Sequence, residues 1–352
     1  MSQANVIYIY SSESSFIQKD IAFLKEKYSV QTQFYNWTNK IWVPLFLVRQ
    51  FYDLLFRSNS ETVYIIMFAG FWSVIPVLLA NLFGRRSFII VGGTDCVSFP
   101  ELNYGAIRKP MQKNTIRYSL NNCTTILPVA EQLVESDYTY VDYREKKQGY
   151  LSFFPEIQTP VKVIYNGFDV PSDYGDSKRT KSSFITVAQI DNEVTYQLKG
   201  IDLIVEEAKI NPELNFTVVG ISDTLVERLE LNKILNLTCY SFLKHEELGN
   251  LYKKHQFYLC LSISEGFPNA LCEGMSHGCV PVGSDVSSIP FIIDETGFIL
   301  KKRDPEMLNE LLNKVISSTP NQLKLMGESA RNRIETEFNL EIRKKAFYEL
   351  IG

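Results

Sequence analysis

Phe257-Tyr-Leu-Cys-Leu-Ser-Ile-Ser-Glu265-Gly-Phe-Pro-Asn-Ala-Leu-Cys-Glu273-Gly-Met-Ser-His-Gly278 holds three successive signals. The apolar run at its start reads as a buried strand. Pro268 suits the first turn of a helix, where its fixed φ fits and its missing N–H is not needed. Gly278 suits the left-handed residue that closes one. The window therefore describes a strand, a loop carrying Glu265, and a helix of two to three turns carrying Glu273. The first N–H groups of that helix, near Asn269, Ala270 and Leu271, point at the strand end and favour an anion. Glu265, before the helix, can reach a polar group beyond such an anion. Glu273, about a turn inside, can accept hydrogen bonds from vicinal hydroxyls.

The same grammar runs outward in both directions. Strand-like runs at 6–10, 63–68, 87–91 and 125–129 alternate with helical stretches such as 14–28 and 40–56. The alternation restarts after residue 180, with strands at 184–188, 216–220, 238–242, 257–261 and 280–283. Between them lie helices at 201–210, 225–234, 245–254 and 269–277. Strands separated by helices make parallel sheets, so two series predict two doubly wound domains. The polar stretch Asp169-Val-Pro-Ser-Asp-Tyr-Gly-Asp-Ser-Lys-Arg-Thr-Lys-Ser182 has linker composition and marks the break. Ligands of such folds sit at the carboxyl ends of strands, which makes an interdomain cleft the expected site. Residues 63–84 carry no charge over a membrane-spanning length. Gly70, Ser73, Pro76 and Asn81 inside them favour strand, turn and helix.

Composition bounds the function. The 352 residues are 45% apolar and 22% charged, which excludes whole-chain disorder. Thirty-six Lys and Arg against forty Asp and Glu give a net charge of −4, arguing against a nucleic-acid coat. The six Cys contain no Cys-x-x-Cys pair, and the three His lack zinc-like spacing. Buried thiols in a reducing cytoplasm and no metal site are the expectation. Met1-Ser-Gln-Ala-Asn runs straight into a strand, without the form of a signal peptide.

Glu265-Gly-Phe-Pro-Asn-Ala-Leu-Cys-Glu273 resembles the Glu-x7-Glu signature of the retaining glycosyltransferases of family 4. The likeness extends through Gly278-Cys-Val-Pro-Val282, Thr296-Gly297-Phe-Ile-Leu, Lys199-Gly200-Ile-Asp-Leu and Asn166-Gly-Phe-Asp169. It implies the GT-B fold, two facing Rossmann-like doubly wound domains with an interdomain cleft. Residues 1–168 would form the acceptor-binding domain, with a C-terminal helix at about 338–352 packing back on it. Residues 169–337 would bind a nucleotide-diphosphate sugar, with UDP or GDP as the nucleotide. By this resemblance Glu265 contacts the transferred sugar, Glu273 the ribose hydroxyls, and Lys199 the diphosphate. The backbone of Gly266, Phe267, Pro268, Asn269, Ala270 and Leu271 would cradle the diphosphate and sugar. A cation at Lys199 suits a leaving group that gains negative charge, so the chemistry needs no metal. The implied activity is hexosyl transfer with retention to a glycan or lipid-linked acceptor, in bacterial surface polysaccharide synthesis.

The chain also departs from the family. Gln189 stands where an Arg is usual, and residues 191–198 read as a lengthened loop before Lys199. In the first domain, Val91-Gly-Gly-Thr-Asp95-Cys places Gly92 where many members have a His. Asp95 is the second catalytic candidate there, closing over the donor sugar or orienting the acceptor; its other reading is a turn-forming Asp. Residues 35–49 mix aromatics, leucines and few cations. They read either as an interfacial helix on the inner face of a membrane or as a core helix. A glycoside hydrolase would need facing carboxyls about 5–9 Å apart, which a loop and the helix after it fit poorly. An epimerase shares the fold but not this motif. A non-catalytic scaffold protein stays open because of Gln189 and Gly92.

Overall fold

Buried β-branched runs alternating with helices give two all-parallel sheets in a computed structural model that describes residues 4–37, 39–172 and 179–352. The first unit comprises Met1–Asp137, Lys147–Gly167 and Glu341–Gly352; the second comprises Tyr138–Lys146 and Phe168–Leu340. Part of the expected linker, 173–178, lies outside the described residues. The tyrosine-rich segment Tyr138–Lys146, expected in the first domain, belongs to the second unit.

The first unit runs β1 (Asn5–Tyr10), α1 (Ser15–Lys27), β2 (Ser29–Phe34), α2 (Val43–Arg57), β3 (Val63–Met67), α3 (Phe71–Leu82), β4 (Arg86–Val91), α4 (Pro110–Asn122) and β5 (Thr125–Pro128). A small hairpin of β6 (Ser136–Asp137) and β7 (Lys147–Gln148) and a single turn, α5 (Tyr150–Phe153), follow. Its sheet order is β2-β1-β3-β4-β5. β1 and β3 are buried along their whole length, as central strands covered on both faces must be. The uncharged stretch 63–84 resolves into β3 and α3, and no described helix is long and apolar enough to cross a membrane. β2 escaped the sequence reading because Ser29-Val-Gln-Thr-Gln-Phe34 is a polar edge strand with one buried residue, Gln33.

The second unit runs β8 (Thr180–Ile190), α6 (Glu193–Leu198), α7 (Ile201–Ile210), β9 (Asn215–Ile221), α8 (Asp223–Arg228), β10 (Leu237–Tyr240), α9 (His245–Lys254), β11 (His255–Cys260), α10 (Asn269–Ser276), β12 (Val280–Ser284), α11 (Ile289–Ile293), β13 (Phe298–Leu300), α12 (Pro305–Ile316) and α13 (Pro320–Glu337). The order β10-β9-β8-β11-β12-β13 reverses direction between β8 and β11, the switch point where such sheets bind ligands. Its core is stapled by Phe184, whose ring stacks on Phe257 at 4.8 Å and on Phe216 at 5.3 Å. The helix expected over 225–234 is broken at Glu230, which takes a φ of +53° between α8 and a short 3-10 turn. Finally, α14 (Leu340–Ile351) carries residues 341–352 into the first unit.

Candidate functional site

Two chain segments meet at the switch point of the second unit. β11 delivers the loop that carries Glu265, and the crossover after β8 delivers Lys199. Lys199 Nζ lies 2.5 Å from Glu265 Oε1, and the Ser262 hydroxyl donates to the same oxygen at 2.7 Å. The side chains are 25% and 13% exposed, so water screens this pair less than a surface one. Sequence reasoning missed Ser262, although its place three residues before Glu265 is a readable signal.

The loop is held from behind at Ser262, Ile263 and Gly266. Ile263 N–H donates to Leu198 O at 2.8 Å, and Tyr138 OH donates to Ile263 O at 3.1 Å. Ser284 Oγ donates to Ser262 O at 2.7 Å, and Ser288 Oγ to Gly266 O at 2.8 Å. Gly200 makes the approach of Lys199 possible: its φ is +68°, and a Cβ there would stand 2.3 Å from Leu261 O. Any other residue would push the Lys199 segment off the strand end. Phe267 is 6% exposed, stacked on Phe168 at 6.1 Å and edge-on to Phe338 at 5.4 Å. Its ring anchors the loop, which leaves its backbone to serve a ligand.

α10 begins at Asn269 as expected, with Pro268 as its N-cap rather than inside its first turn. Leu271 and Cys272 N–H both donate to Pro268 O, so the N–H groups of Asn269 and Ala270 precede the first bonds of the helix. Gly278 closes it at φ +76°, donating to Met275 O at 2.8 Å. Glu273 is half-buried one turn in, and its charge helps burial raise the phenol of Tyr252 beneath it. Gln189 is exposed at the end of strand β8, beside a register shift, and donates to Asp191 Oδ2 at 2.8 Å. Residues 191–198 are not a lengthened loop. A capping box between Asn192 and Thr195 folds them into α6.

Asp95 lies in the first unit, where backbone N–H groups hold its carboxylate. The side chain is 1% exposed and accepts three N–H groups, from Ala69 at 2.9 Å, Gly93 at 3.1 Å and Gly92 at 3.2 Å. Burial pushes its carboxyl above the usual range, and these bonds only partly oppose that. Through these bonds it ties the β3 and β4 loops together. Gly92 has its own cause: a Cβ there would meet the Phe68 ring at 2.3 Å. Phe68, held at φ +61°, fills the space that a side chain at 92 would need.

The stretch 35–49 has two faces. Trp37 is buried against Phe46 and Trp72, with Phe46 also stacked on Tyr35 at 5.6 Å. On the outer side Ile41, Leu45, Val48, Tyr52 and Phe56 are exposed, Ile41 by 83% and Phe56 by 82%. Their spacing of three and four residues makes one apolar stripe.

Residues 178–333, within the second unit, match the family described as glycosyl transferases group 1. The chain is 28% identical over 227 residues to a component of the human phosphatidylinositol N-acetylglucosaminyltransferase, covering 60% of this chain and 45% of that one. It spans less than half the length of the curated relatives it matches. Among solved structures, sucrose-phosphate synthase from Thermosynechococcus elongatus superposes with a TM-score of 0.78 at 15% identity, over 99% of this chain and 98% of that one. Anabaena Alr3699/HepE, solved with UDP and glucose, superposes with a TM-score of 0.69 at 13% identity, over 99% of both chains. The fold is GT-B.

Proposed function

We propose that this chain is a retaining glycosyltransferase of the family 4 type that moves a hexosyl group from a nucleotide-diphosphate sugar to a hydroxyl. The Lys199–Glu265 pair at the sheet's switch point, beside the start of α10, carries this reading. An ammonium and a helix N-terminus together suit a diphosphate, and the carboxylate next to them suits a sugar hydroxyl. Without donor the two charges neutralise each other. A bound diphosphate would take over Lys199 and leave Glu265 to the sugar.

In the reaction the bond between the anomeric carbon and the diphosphate oxygen breaks while the acceptor oxygen bonds the same face. The acceptor proton passes to the departing phosphate oxygen. Lys199 and the first N–H groups of α10 take up the charge that develops there, so no metal is required of the donor site. Glu273 holds the ribose hydroxyls, and the 266–271 backbone lines the diphosphate. Gln189 replaces a cation with a neutral amide that can still donate to phosphate. UDP is the first nucleotide to test, because Alr3699/HepE was solved with it.

The acceptor is a glycan or a lipid-linked glycan precursor of the kind used in surface polysaccharide synthesis. The apolar stripe on α2 supports a peripheral contact with the membrane bearing it. The human relative's name includes a phosphatidylinositol acceptor, which favours a lipid. Thermal denaturation with UDP, GDP and their sugar conjugates tests the donor. A ligand at 100 times its Kd adds about 2.7 kcal/mol. Glu265→Gln should abolish turnover and keep nucleotide binding; unchanged behaviour would favour a non-catalytic scaffold.

A further inference from the structure

The first unit has a cavity of about 470 Å³ at the carboxyl ends of β1, β3 and β4. Its lining includes Ser11, Ser12 and Thr94 together with Arg108, Lys109 and Gln112 from the segment where α4 begins. Arg108 and Lys109 share this lining with one acid, Asp95, whose oxygens accept three backbone N–H groups. Arg108 Nε and Gln112 Oε1 are buried without a hydrogen-bond partner among the described residues. Buried polar atoms are seldom left so, because an unpaired one is costly. Lys113 N–H closes the first turn of α4 on Lys109 O, and Pro110 has no N–H, so those of Met111 and Gln112 precede the helix's own bonds.

The wall is built to stay in place. Gly105 takes φ +92°, and a Cβ on it would stand 2.2 Å from Val97 O. Ala106 N–H donates to Thr94 O at 2.7 Å, which locks the Arg108 segment to the β4 loop.

We propose that this cavity binds a phosphate-type anion through Arg108, Lys109 and the start of α4, and that the acceptor of the transfer reaction carries that phosphate. Naming the ligand as the acceptor rests on the glycosyltransferase reading; the anion site itself does not. Arg108 supplies the bidentate fork, Lys109 a point charge, and the serines and Gln112 meet neighbouring hydroxyls.

The test is a thermal-shift and calorimetric titration of the full chain with inorganic phosphate, glycerol 3-phosphate and UDP. Wild type, Arg108→Gln, Lys109→Gln and Lys199→Gln are compared. Glycerol 3-phosphate should stabilise wild type and Lys199→Gln alike. Arg108→Gln should weaken that binding at least about tenfold and leave the UDP shift unchanged. Should Arg108→Gln fail to fold, Lys109→Gln gives the same comparison. No shift with either phosphate probe, or shifts unaltered by both cavity variants, would overturn the site. Phosphate binding through Arg108 with no UDP response would support the site and remove the donor reading. Flotation with phosphatidylcholine vesicles, with and without phosphatidylinositol, distinguishes the sources. Binding that glycerol 3-phosphate displaces assigns the anion to a lipid headgroup, and the titration alone to a soluble acceptor.

Discussion

Lys199 Nζ and Ser262 Oγ converge on one oxygen of Glu265, so these three side chains act as a set. If Lys199 meets the leaving diphosphate as proposed, Lys199→Ala should lower kcat/KM by about 10²–10³-fold, as loss of one charge-stabilising donor does elsewhere. Steady-state kinetics on variant and wild type decide it; a loss confined to KM would mean uniform binding instead. Glu207 on α7 gives the pH prediction. It is 0% exposed, burial raises its carboxyl, and the Asn309 and Asn211 amides only partly oppose this. A raised folded-state value means the native chain holds this proton more tightly than the unfolded one. The stability it supplies is full below the ordinary carboxylate range and is lost as pH rises through the raised value. Glu207→Gln should therefore flatten the fall of Tm with rising pH above that range. Parallel Tm curves for the two proteins would refute this.

At the scale of elements, α2 keeps an aromatic cluster inside and an apolar stripe outside. A fully exposed aliphatic or aromatic side chain contributes about 1.5–3 kcal/mol when transferred to an apolar phase. Leu45→Glu combined with Phe56→Glu should then abolish co-flotation with vesicles while leaving stability within about 0.5 kcal/mol of wild type, since both sites are surface positions. Equal flotation of the double variant would remove α2 from the membrane reading. The loop before α10 makes a second case. Ser288→Ala would leave the buried Gly266 O without its donor, at a cost of about 1–3 kcal/mol. Because the proposed donor site lies on that loop, nucleotide affinity should fall together with Tm.

For the whole molecule, α14 returns the end of the chain to the first unit through a buried pair. Arg343 Nε and its terminal nitrogen donate to Asp20 at 2.7 Å, and Tyr8 OH donates to the same carboxylate at 3.0 Å. Arg343 and Asp20 are 3% and 1% exposed. Arg343→Met strands a buried carboxylate and should cost about 3–5 kcal/mol in chemical denaturation. Adding Asp20→Asn should recover part of that loss, because the uncompensated charge goes with it. Additive losses would show that packing, and not charge, is what α14 supplies.

The sequence alone determined the alternation of strands and helices, two parallel sheets, and the strand–loop–helix that carries Glu265 and Glu273. These are local signals: apolar runs of strand length, and a Pro and a Gly that bracket a helix. The bounds of α7 and α9 follow directly from their periodicity. β2 did not, because a polar edge strand has no apolar run, and α6 did not, because a capping box at Asn192 and Thr195 outweighs its irregular pattern. Motif likeness paired Lys199 with Glu265, yet only the tertiary structure decided their 2.5 Å contact, since sixty-six residues separate them. It also decided that Asp95 serves backbone N–H groups, that Phe68 occupies the space beside Gly92, and that Arg108 and Gln112 share a cavity with the β4 loop. Each of these depends on which strand ends become neighbours, and sheet order is set by packing across the whole unit rather than by any local run of residues.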